Sequence, residues 1–130
     1  EVCVALKCSG IALDGGLIRY AALLHDISRT LPEHAAVGAG WLDALGYPDQ
    51  AEIIRRHMDC PGDSVGEAAV VYIADKLTIG SQRVSLRERY EKSESKCMTA
   101  EARCAHEARR KQAYGIAEKI NKICGKDIIQ

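Results

Sequence analysis

The chain has 130 residues, of which 47% are hydrophobic and 28% charged, the balance of a soluble globular domain. Its 18 basic and 18 acidic residues cancel to a formal net charge of zero, which argues against the basic excess that general nucleic-acid binding requires. No apolar stretch approaches the roughly 20 residues that span a bilayer, and no signal-peptide pattern stands at the start.

With no Phe and one Trp, the core must be built from Leu, Ile, Val and Ala. The six cysteines are Cys3, Cys8, Cys60, Cys97, Cys104 and Cys124. None forms a CxxC pair, so neither a zinc ribbon nor a thioredoxin-type motif is present. A chain this rich in core residues needs no staples, so reduced thiols and a cytoplasmic location are expected.

The first segment, residues 1 to about 9, reads as the tail of a helix that Ser9-Gly10 ends. Leu13-Asp14-Gly15-Gly16 is a turn signal, with Asp14 placed to start the next helix. That helix is predicted from about Leu17 to Ile27, with Leu17, Ile18, Ala21 and Leu24 on one stripe. A third helix opens at Leu31-Pro32-Glu33-His34, with Pro32 in its first turn, Val37, Trp41 and Leu45 on its apolar stripe, and Gly46 at its end.

Tyr47-Pro48-Asp49 starts a fourth helix holding Ile53, Ile54 and His57, broken by Cys60-Pro61-Gly62-Asp63. Ser64 with Glu67 three residues on reads as a capping box for a fifth helix, Val65 to Ile79, dense in Ala and Val and therefore central. Residues 81–97 are charge-rich and read as a solvated helix followed by a loop. A last helix is predicted from Thr99 to Cys124, with Ala102, Ala105, Ala113, Ile116, Ala117, Ile120 and Ile123 on its apolar face and Gly125 as its C-cap. No strand pattern and no repeat is visible, so the class is all-α, with six to seven helices in a compact bundle.

His25-Asp26 follows the apolar run Leu17–Leu24. Burying such a pair costs free energy unless it binds something. Adjacent helical residues diverge by about 100°, so both could reach one ion only if it sits over the helix end. His57 shares a face with Ile53 and Ile54 and points toward the core. Asp75 shares a stripe with Ala68, Val71 and Tyr72, where an acid is unusual without a partner. His34 sits at the start of the third helix. Imidazole nitrogens with carboxylate oxygens suit Fe, Mn, Co, Ni or Zn better than Ca.

The order His-Asp, His, His, Asp resembles the HD superfamily of metal-dependent phosphohydrolases. Ala21-Ala22-Leu23-Leu24-His25-Asp26-Ile27 is similar to the signature segment. His34 with Val37-Gly38-Ala39, then Ile53-Ile54-Arg55-Arg56-His57, and then Val71-Tyr72-Ile73-Ala74-Asp75-Lys76-Leu77 resemble the later ones. The resemblance covers residues 1 to about 80, the metal-site core of what reads as a single domain, 1–130; residues 81–130 add little to it.

The resemblance implies an HD-type bundle and one or two divalent ions held by His25, Asp26, His34, His57 and Asp75. Asp26 would bridge the two ions, with His34 and His57 on the second. Arg29 is placed to clamp a phosphate; Lys76 reads as a surface lysine. The family pattern begins with a histidine upstream of the His-Asp pair, which this chain lacks. It is expected a few residues before Glu1, on a longer polypeptide.

The implied activity is attack of metal-activated water on the phosphorus of a nucleotide or other small phosphorylated metabolite, dinucleoside polyphosphates first among them. A second reading is a non-catalytic HD module that binds a nucleotide and regulates a linked catalytic domain. A third is a helical interaction domain, with the last helix as the face of a homodimer. His106 is expected at the surface and Cys60 as a core or loop thiol.

Overall fold

The computed structural model describes residues 1–60 and 64–130. Among these are seven helices and one short hairpin: α1 Val2–Cys8, α2 Gly15–Leu24, α3 His34–Ala44, α4 Pro48–Arg56, α5 Glu67–Lys76, β1 Thr78–Ile79, β2 Gln82–Arg83, α6 Leu86–Glu94 and α7 Ala100–Cys124. The all-α expectation holds. The break expected at Cys60-Pro61-Gly62-Asp63 lies mostly outside the described residues. The chain sorts into two compact units, one of residues 1–10 and 73–130, the other of residues 11–72, with the boundary inside α5.

In the second unit, α4 is wedged between two apolar clusters. Ile54 packs with Ala39, Leu42, Ala51 and Leu24, against α3 and α2. Its neighbour Ile53 packs with Ala21, Val71, Leu17, Ile18 and Ala68, against α2 and α5. Fully burying such side chains contributes about 1.5–3 kcal/mol each. The Asp14 carboxylate accepts the Leu17 N–H at 3.0 Å, so α2 starts two residues before Leu17, behind a side-chain cap. The Asp14 N–H in turn donates to Glu67 Oε1 at 2.9 Å, tying the start of α2 to the start of α5.

Three expectations in this unit are corrected. First, α2 ends at Leu24 rather than Ile27, because the chain passes into i→i+3 turns: Ile27 N–H to Leu24 O, Arg29 N–H to Asp26 O and Leu31 N–H to Ser28 O. Second, α3 begins at His34, so Pro32 precedes it, and Glu33 takes a left-handed conformation at φ 51°. Third, α3 buries Gly38, Ala39 and Leu42, while Trp41 and Leu45 are 45% and 70% exposed. That helix is apolar nearly all round, so periodicity could not choose its face. Its small residues chose it, because they let α4 approach.

The first unit is organised around α7. Thr99 caps its start by accepting the Ala102 N–H at 3.1 Å, and Gly125 closes it at φ 65°. Ala113, Ile116, Ala117 and Ile120 are buried, whereas Ala105 and Ile123 of the expected apolar face are exposed. The charged segment forms α6, opened by a capping box between Ser85 and Glu88 and anchored by buried Leu86 and Tyr90.

The fifth helix stops at Lys76 instead of running to Ile79. Gly80, at φ 61°, turns Thr78–Ile79 back onto Gln82–Arg83, a hairpin too short to show alternation in the sequence. His106, expected at the surface, is half-buried; its Nε2 lies 2.8 Å from Ser93 Oγ and its ring stands edge-on to Tyr90. None of the six cysteines is joined in a disulfide. Among the described residues no helix is long and apolar enough to cross a membrane.

Candidate metal centre

The early end of α2 makes the site. His25 is the C-cap of that helix and Asp26 the first residue beyond it. His25 keeps a right-handed helical backbone and the chain tightens into i→i+3 turns after it, where His25 Nε2 lies 3.7 Å from Asp26 Oδ2. The other carboxylate oxygen, Oδ1, faces His34 Nε2 at 3.5 Å and His57 Nε2 at 3.7 Å. His34 is the first residue of α3, and His57 is the C-cap of α4. Asp26 is thus the hub of three histidines, with one oxygen toward His34 and His57 and the other toward His25 and Arg29.

The imidazoles are held from behind. His57 is 1% exposed and its Nδ1–H donates to the Ile54 carbonyl at 2.7 Å. His25 Nδ1–H donates to the Ala22 carbonyl at 2.6 Å. A backbone carbonyl on Nδ1 selects the tautomer whose Nε2 carries a lone pair, which is how metal-ligating histidines are oriented. The rings of His25 and His34 lie 5.1 and 5.2 Å from that of His57.

One ligand atom each from Asp26, His34 and His57 lies within 4.8 Å of the others. His34 Nε2 and His57 Nε2 stand at hydrogen-bonding distance, 3.3 Å, and both face one carboxylate, a grouping in which a cation could take the place of the shared proton. Mixed N and O donors on a histidine-rich set fit a divalent transition metal. The residues present therefore fit the group that the resemblance implies.

The other expected residues are placed as follows. Arg29 is 78% exposed and its Nη1 lies 3.3 Å from Asp26 Oδ2, at the rim of the cluster. Asp75 belongs to the other unit, near the C-terminus of α5, where it pairs with Lys76 Nζ at 2.7 Å and Arg89 Nη2 at 4.0 Å. Lys76 is buried, not a surface lysine as expected, and that ion pair is the physical reason it can be.

Cys60 is buried, as a core thiol should be; burial pushes its pKa up, and the charge of Arg56 opposes this more weakly. It borders a cleft of about 280 Å³ between α4 and the start of α5, whose lining includes Glu52, Arg56 and Glu67 but none of the clustered ligands. Sequence reasoning missed Ser28. It is buried beneath the site and bonded to the His34 carbonyl, and a serine in a turn carries no local signal of that role.

The HD domain family matches residues 2–80. An uncharacterised protein of Methanocaldococcus jannaschii is 31% identical over 116 residues, covering 74% of this chain and 69% of its own length. No solved structure matches.

Proposed function

The chain belongs to the HD domain family, and from that membership we propose that it is a metal-dependent phosphohydrolase acting on a nucleotide or another small phosphorylated metabolite. The observation that carries this reading is the approach of Asp26 Oδ1, His34 Nε2 and His57 Nε2 from three separate elements to within 4.8 Å of one another. Asp26, His34 and His57 would hold a divalent ion, with His25 beside them and Asp75 assigned by resemblance.

One or two such ions supply charge neutralisation on phosphoryl oxygens and an acidified water. Asp26 presents its two oxygens to different partners, which is what a carboxylate shared between two ions requires. The carbonyls of Ala22 and Ile54 hold the His25 and His57 rings, so neither imidazole must reorient as charge develops. Arg29 stands at the rim with a solvent-facing guanidinium, able to leave Asp26 and take two phosphate oxygens in bidentate fashion.

The test is metal analysis of the purified protein, then phosphate release from mononucleotides, cyclic nucleotides and dinucleoside polyphosphates with Mn or Fe supplied. Metal-dependent turnover that disappears in Asp26→Ala is expected. Nucleotide binding without turnover would instead make the domain a regulatory module, and neither metal nor nucleotide binding would remove the reading altogether.

A further inference from the structure

One side chain bolts the turn carrying the His-Asp pair onto α3. Ser28 is 2% exposed, and its Oγ donates to the backbone carbonyl of His34 at 2.6 Å, six residues away. In a regular helix that carbonyl accepts the N–H four residues on, which here is Gly38. The hydroxyl is thus a second donor to one oxygen, and it must enter beside Gly38. Glycine makes the room: a Cβ at position 38 would lie 3.0 Å from Ser28 Oγ and 3.2 Å from Ile27 Cγ2. Glu33, in its left-handed conformation just before His34, completes the chain reversal that brings the carbonyl to the serine.

We propose that Ser28 is a positioning residue. Through the His34 carbonyl it sets the 3.5 Å separation of Asp26 and His34, and Gly38 is the position that admits it. The consequence for metal binding rests on the reading given above; the positioning itself does not. The hydroxyl lies beneath the ligands and touches no reacting atom. Because the helix already satisfies the His34 carbonyl, removing the hydroxyl strands no buried acceptor. Ser28→Ala therefore alters the ligand geometry while leaving the fold nearly as stable.

The experiment compares the parent protein with Ser28→Ala, Gly38→Ala and the double variant. Two readouts are taken: the dissociation constant for Mn²⁺ alone, and the side-chain NMR resonances of His34 in the metal-free protein, with His106 as the internal reference. Ser28→Ala is expected to weaken Mn²⁺ binding about 10–100-fold, as loss of a supporting partner does. It should move the His34 resonances, leave those of His106 in place, and hardly change the urea midpoint. The double variant should be no worse than Gly38→Ala, since both changes disturb one contact.

Unmoved His34 resonances, equal movement of His106, or strictly additive effects would each overturn the proposal. Should the parent fail to bind Mn²⁺ while Ser28→Ala still moves the His34 resonances alone, the metal reading falls and the positioning role stands.

Discussion

His34 and His57 meet nitrogen to nitrogen, their Nε2 atoms 3.3 Å apart although 23 residues separate them in the chain. One stands at the start of α3 and the other at the end of α4, so the antiparallel packing of these helices brings the two termini together. Asp26 closes the group from the end of α2. Helix ends, not helix faces, therefore build the cluster, and each of its side chains depends on where its helix begins or stops.

Removal of the hub gives the first prediction. Asp26→Ala should weaken Mn²⁺ or Fe²⁺ binding by at least about 100-fold, since even the partners that merely support a ligand contribute 10–100-fold. Calorimetric titration measures this directly. Binding at parental affinity would mean that the three side chains do not hold the ion.

The second prediction concerns the packing beneath His57. Ile54 is fully buried between α3 and α4, and its own carbonyl orients the His57 ring. Ile54→Ala should cost about 2–5 kcal/mol of stability, read from urea unfolding. At denaturant concentrations where the variant is still folded, metal affinity should also fall.

Thiol chemistry provides the third. Cys8 and Cys104 are exposed and Cys60 is buried. A disulfide reagent at mild alkaline pH should label Cys8 and Cys104 quickly and Cys60 only after unfolding. The pKa of Cys60 is raised above 9.0 in the folded chain. Its contribution to stability is thus complete below that value and is lost as pH rises through the folded pKa, because the unfolded thiol ionises first. Cys60→Ser should flatten this part of the alkaline stability profile.

The caps of α7 yield the fourth. Thr99→Ala should cost about 1 kcal/mol by releasing the Ala102 N–H. Gly125→Ala should cost about 1–2 kcal/mol by forcing a Cβ into a left-handed conformation. The sites stand at opposite ends of the helix, so in thermal or urea unfolding the two losses should add.

The fifth lies in α6. Two bonds from Ser85, backbone and side chain, hold the Glu88 carboxyl below its ordinary pKa. A depressed carboxylate stabilises above its unfolded value of 4.5, and the effect is lost as pH falls through the folded pKa. The protection of the amides in the first turn of α6, taken relative to their intrinsic exchange rates, should fall in that acid range, and Glu88→Gln should remove this change in protection.

Local chemistry made much of this molecule legible. Thr99 and Gly125 bounded α7, Asp14 capped α2, and the ordered segments around His25-Asp26, His34 and His57 marked the residues that cluster. These signals act within a few residues, so the linear chain carries them whole. The face of α3 was not legible because α4 chooses it, and neither the early end of α2 nor the left-handed Glu33 carries a residue type that marks it.

By itself, then, the sequence determined the helical class, both ends of α7, the start of α4 and the chemical types of the clustered side chains, all products of capping, periodicity and side-chain chemistry. Only the tertiary structure decided that these side chains meet. It ended α2 at Leu24 in a run of i→i+3 turns that sets Asp26 beside His34 and His57, and it joined the start of α3 to the end of α4. Packing of α3 against α4 made the latter choice, because the free energy that selects it arises only when segments distant in the chain touch.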